Sequence, residues 1–113
     1  MHYNPVRDTR GQRIDAALHL VVVQGMRRVV RKVLEAEDLS TSGPPVGFGL
    51  GMINTAVVST WDDDRRHQLV EKLIQANTVA LASLSAEESA EGLLLVATIR
   101  VLLSDDTGPT PLP

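Results

Sequence analysis

A chain of 113 residues, 43 % apolar and 22 % charged, has the size and make-up of one soluble globular domain, and with Tyr3, Phe48 and Trp61 as its only aromatics the core has to be aliphatic. The absence of cysteine excludes disulfide staples, thiolate metal sites, iron–sulfur clusters and cysteine nucleophiles. No apolar run approaches the roughly 18 residues of a membrane-spanning helix, and the run Ala16 to Val23 lacks the cleavage signal of a secretory leader, so a cytoplasmic setting is expected. The net charge of −3 conceals a gradient: seven basic residues face three acids up to Glu35 (+4), and four face eleven beyond it (−7). Complementarity within the chain or between subunits accounts for such halves better than an anionic partner does.

Residues 1–11, with Asn4-Pro5, Gly11 and no apolar period, read as an irregular arm. From Gln12 to Leu39 apolar residues recur at spacings of three and four, which predicts helix, although Leu18 to Val23 is β-branched enough to form a short strand instead. Ile14, Ala17, Leu18 and Val21 centre on one direction, whereas Val22, Met26, Val29 and Val33 centre roughly a quarter-turn further round. One straight helix cannot bury both stripes against a flat partner. Gly25 sits at the changeover, so a kink, a break or a change of packing partner is expected there. His19, between Leu18 and Leu20, is expected in the core or at an interface with one hydrogen-bond partner.

Ser40 to Gly51, with Gly43-Pro44-Pro45 and three further glycines, is a connection. Neither a dinucleotide fingerprint nor a P-loop completes itself there, which leaves a flexible linker, a hinge or a docking surface for Phe48 and Leu50. Met52 to Val58 is too short to decide between a strand and two helical turns. Thr60 followed by Asp62, Asp63 and Asp64 marks a helix start, with Thr60 as the cap and the carboxylates at the positive end of the dipole. Asp63 and His67 share a face that could touch a metal, but no third and fourth ligand accompany them, so no metal is expected.

The helix Trp61 to Ser83 carries a clear apolar stripe, and Ser85-Ala86-Glu87-Glu88 reads as a capping box opening the next helix. That helix is apolar on every side from Gly92 to Leu103 except at Thr98 and Arg100. A helix apolar all round must be surrounded by protein, and a second chain is the economical cover. Residues 105–113, with Gly108 and three prolines, read as a disordered tail.

Two polar residues interrupt apolar stripes. Asn77 falls where a seam wants a hydrocarbon, as do asparagines that fix register in helical assemblies; Arg100 is expected to be ion-paired. Arg27, Arg28, Arg31 and Lys32 form a basic face that could bind phosphates, against which stand the acids Glu35, Glu37 and Asp38, the lack of stacking aromatics, and the ordinary placement of cations at helix ends.

The expected fold is all-α, a small bundle of three or four helices over residues 12–104 with a kinked first helix and two long helices packed antiparallel; the alternative is α+β, with strands at 18–23 and 52–58. The expected function is non-enzymatic protein–protein interaction or regulation by a homo-oligomer, its interface built from Leu93, Leu94, Val96, Ile99, Arg100, Leu103 and Asn77. The alternative is a small nucleic-acid-binding regulator using Arg27, Arg28, Arg31 and Lys32, with Arg7, Arg10 and Arg13 on the arm in support. No catalytic residue, cofactor or membrane contact is called for.

Overall fold

The computed structural model describes residues 9–40 and 53–104. Among these the fold is all-α: α1 (Arg10–Gln24), α2 (Arg27–Ala36), the short α3 (Thr55–Val58), α4 (Asp63–Ala80), a 3-10 turn (Leu81–Ser83) and α5 (Ala86–Ser104). The expected features of the glycine-rich connection, including Phe48 and Leu50, and of the tail at 105–113 lie outside the described residues.

The first helix starts earlier than its apolar period implies. Thr9 accepts a hydrogen bond from the Gln12 amide at 3.1 Å while the Gln12 side chain accepts one from the Thr9 amide at 2.9 Å. This capping box draws Arg10 and Gly11 into α1, where the sequence pattern suggests an irregular arm. Ile14, Ala17, Leu18, Val21 and Val22 form its buried stripe. The strand alternative at 18–23 is not realised, because these residues lie inside α1.

The break expected at Gly25 is present. Gly25 is extended (φ −69°, ψ 170°), and its amide donates to Val21 O at 2.9 Å, closing the last turn of α1. A side chain there would not fit: a Cβ would lie 2.4 Å from Val21 O, 3.1 Å from Val30 Cγ2 and 3.2 Å from Asn77 Oδ1. Met26 then caps α2 without any side-chain hydrogen bond of its own. Asn77 of α4 supplies what is missing, its Oδ1 accepting from the Met26 amide at 2.9 Å and its Nδ2 donating to Leu73 O at 2.7 Å. The amide thus spends its donor and acceptor inside the subunit, 4 % exposed, and corrects the expectation of an oligomer-seam asparagine.

Beyond the break α2 turns Val30 and Leu34 towards α4. It ends in a Schellman motif, with Asp38 at φ 61° and the Asp38 and Leu39 amides donating to Glu35 O and Leu34 O. Leu39 is thereby returned to the core. Ser40 and Ile53 form an isolated antiparallel bridge, and the Asn54 amide donates to Leu39 O at 2.7 Å, so the two ends of the connection are held together. The second strand alternative reduces to that bridge, followed by the single helical turn α3.

Helix α4 is capped by Asp62 rather than Thr60: Asp62 Oδ1 accepts from the Arg65 amide at 2.8 Å, while the Thr60 hydroxyl donates backwards to Val57 O at 2.7 Å. Asp63 and Asp64 occupy the first turn as the dipole favours. Ser85 and Glu88 form the expected capping box of α5, the Ser85 amide donating to the Glu88 carboxylate and the Glu88 amide to the Ser85 hydroxyl. Helix α1 packs against both α4 and α5, which touch each other less extensively than either touches α1. The bundle is therefore organised around α1, not around the α4–α5 hairpin that the sequence suggests.

Two substitutions test the break. Gly25→Ala forces a Cβ against a backbone oxygen, and Asn77→Ala strands the Met26 amide; each is expected to lower unfolding free energy by about 1–3 kcal/mol, read as a shifted urea midpoint at unchanged slope.

Candidate interaction surface

Helix α5 divides into two apolar faces. Gly92, Leu95, Val96, Ile99, Leu102 and Leu103 recur at spacings of three and four and point inwards; Ile99 is fully buried, and the leucines and Val96 are partly buried against the core. A Cβ on Gly92 would meet Leu81 Cδ2 at 2.3 Å, so the Leu81 side chain packs directly over the bare backbone of α5. On the opposite face Leu94 and Val101 are each 69 % exposed and Leu93 54 %, with Ala90 and Ala97 exposed in the same row. Of the residues expected at an interface, the structure places Leu93, Leu94 and Arg100 outside. Ile99 and Asn77 are enclosed by their own subunit, and Val96 and Leu103 pack against its core. The sequence marks α5 as apolar all round, but it does not say which residues the rest of the chain covers.

A groove of about 670 Å³ runs beside this outer face, between the first half of α5, the end of α1 and the turn after α4. Leu20, Met26, Leu81, Leu84 and Leu95 give it an apolar lining, Glu88 and Glu91 line its α5 side, and Leu94 joins it to the exposed row. Sequence reasoning missed this groove, because no local motif announces a cleft assembled from three elements. Its chemistry suits apolar side chains of a partner; its lining offers no histidine, serine or lysine.

Arg100 is ion-paired as expected. Its Nη1 lies 3.1 Å from Glu71 Oε1, and Glu71 Oε2 lies 3.3 Å from His67 Nε2. His67 Nδ1 in turn lies 3.4 Å from Arg10 Nη2, so a polar chain ties α1, α4 and α5 together. Arg10 also pairs with Asp64 at 2.9 Å, and Arg66 is clasped by Asp15 and Asp63. Asp63 and His67 therefore have partners other than a metal, and no group of three potential ligands gathers among the described residues. His19 is exposed beside a separate cavity of about 380 Å³ lined by Asp15, Thr55, Ser59 and Arg66 among others, so it is not the core histidine that its apolar neighbours suggest.

Arg27, Arg28, Arg31 and Lys32 are all exposed on α2 and make no ion pair with any described residue. The break at Gly25 puts Arg27 and Arg28 in the first turn of a helix, where the dipole disfavours cations. Helix-end stabilisation consequently does not account for this cluster. No described helix is long and apolar enough to cross a membrane. Comparison of the chain with protein-family models, with curated proteins and with solved structures gives no match.

The Arg100–Glu71 pair is half-exposed at both ends, 54 % and 42 %, where solvent screens most of its attraction. Arg100→Ala is expected to move unfolding free energy by less than about 1 kcal/mol, measured by urea denaturation.

Proposed function

We propose that this protein is a non-enzymatic helical interaction protein that works as a homo-oligomer and offers its remaining surface to another protein. One observation carries the reading: Leu93, Leu94 and Val101 stand more than half exposed on α5 while the opposite face of the same helix packs against the core through Ile99 and its partly buried neighbours. Scattered exposed leucines are ordinary; a continuous apolar row running into an apolar groove is the kind of surface that proteins cover. The predominantly apolar lining of the groove, with Glu88 and Glu91 on its α5 side, supports binding of apolar side chains.

Light scattering across a dilution series is expected to show the mass rising from one chain towards two between about 1 and 100 µM, the range of interfaces at the small end. The double variant Leu94→Asp/Val101→Asp alters only exposed positions and is expected to raise the dissociation constant at least tenfold, which corresponds to about 1.4 kcal/mol, with an unchanged helical circular dichroism spectrum. A wild-type chain that stays monomeric at 100 µM overturns the reading.

A second reading, a small nucleic-acid-binding regulator, is favoured by the exposed cations in the first two turns of α2, which pair with no described residue. Four phosphate contacts predict that affinity for a duplex falls with salt at a log–log slope of roughly −3 to −4. Replacing Arg27, Arg28, Arg31 and Lys32 by alanine is expected to abolish that dependence. No binding at about 50 mM salt ends this reading.

A further inference from the structure

Resting on the reading of the protein as a homo-oligomer, we infer that its partner on this face is α5 of a second copy, running antiparallel. The exposed residues Ala90, Leu94, Ala97 and Val101 follow spacings of four, three and four, the repeat with which one helix meets another along a seam. Each member has a complement on the same helix read backwards. With the twofold axis between positions 95 and 96, Leu94 lies over the partner's Ala97 and Ala90 over the partner's Val101, so every layer joins one large and one small side chain.

Charge selects the direction. Glu87, Glu88 and Glu91 crowd the first turns of α5, and Arg100 is the only cation on the helix. Glu87 falls one step before Ala90 in the same row, so a parallel pair would set it against its own copy and stack both acidic ends together. It would also align the two helix dipoles. Reversing one helix separates the acidic ends, faces Glu87 with the partner's Ser104, and brings each acidic half to the half that holds Arg100. Each positive helix end then lies near a negative one.

Area sets the strength. A 19-residue helix is about 28 Å long and about 10 Å wide, too small a strip to reach the roughly 800 Å² per partner of a standard stable interface. The contact therefore leans towards the groove, where Leu20, Met26 and Leu84 extend the apolar surface from Leu94, and the dimer stays in the micromolar range.

Because the chain has no cysteine, disulfide trapping reads the register without background. In the antiparallel pair two copies of position 90 are about 16 Å apart along the helix, beyond the roughly 7 Å limit for a disulfide, while position 90 adjoins position 101 of the partner. An Ala90→Cys protein and a Val101→Cys protein are expected to stay uncrosslinked alone under mild oxidation and to form a mixed disulfide dimer when combined. Glu87→Cys with Ser104→Cys, adjoining in the same register and with like positions about 25 Å apart, serves as the second pair. A self-crosslinking Ala90→Cys protein, or no mixed dimer from either pair while the wild type still dimerises by light scattering, overturns the antiparallel seam. A wild-type monomer at 100 µM overturns the self-association reading itself, so the two failures are told apart.

Discussion

The side-chain amide of Asn77 is the interaction around which the fold is arranged. Ending α1 at Gln24 and restarting at Arg27 leaves the Met26 amide outside either helix's regular ladder, at a helix start with no cap of its own. A backbone amide left unpaired where water is excluded costs about 1–3 kcal/mol, and the Met26 amide is partly buried. Asn77 removes that penalty, accepting from Met26 while donating to Leu73 O within its own helix. Gly25 is the other half of the arrangement, because only a residue without Cβ allows Val21, Val30 and Asn77 to approach the same point. With the break stabilised, α1 buries Val21 and Val22 and α2 buries Val30 and Leu34, whereas Met26, Val29 and Val33 of the second expected stripe are only partly covered.

That choice leaves α5 one-sided. Since α1 is the common partner of α4 and α5, the contact between those two helices is limited, and α5 has enough neighbours for a single inward row. Ile99 is enclosed while Val101, two residues on, is 69 % exposed, the separation that a helix of 3.6 residues per turn imposes. A domain of about this size buries only about two-thirds of the surface of its unfolded chain. Among the described residues three of the six exposed large hydrophobics, Leu93, Leu94 and Val101, lie on α5, while Val79 stands exposed on α4, so the proposed pairing has a defined place on α5.

The charge gradient along the sequence is partly absorbed and partly left over. Arg10 meets Asp64, Asp15 meets Arg66, and Glu37 meets Lys72 at 2.6 Å, so each of these contacts joins the basic first third or the end of α2 to α4. These pairs tie the helices in register more than they stabilise them, being mostly exposed. The face of α2 stays outside this pairing, with its cations at the wrong end of the helix for the dipole to favour.

What the sequence determined by itself were the local signals: the helical periods, the Ser85–Glu88 box, the breaker-rich connection and the conflict of two stripes that needs a break at Gly25. Each arises from interactions within a few residues, which a linear pattern records. The Thr9–Gln12 box was equally legible but hidden by Asn4-Pro5 and Gly11 beside it, and Thr60 lost the cap position to Asp62 because both offered an oxygen and only geometry could choose. Tertiary structure alone decided what Asn77 bonds to, 51 residues from Met26, and which half of α5 is covered. Periodicity gives the directions in which side chains point, but burial depends on what other elements bring to each direction, and that is settled only when the helices have packed.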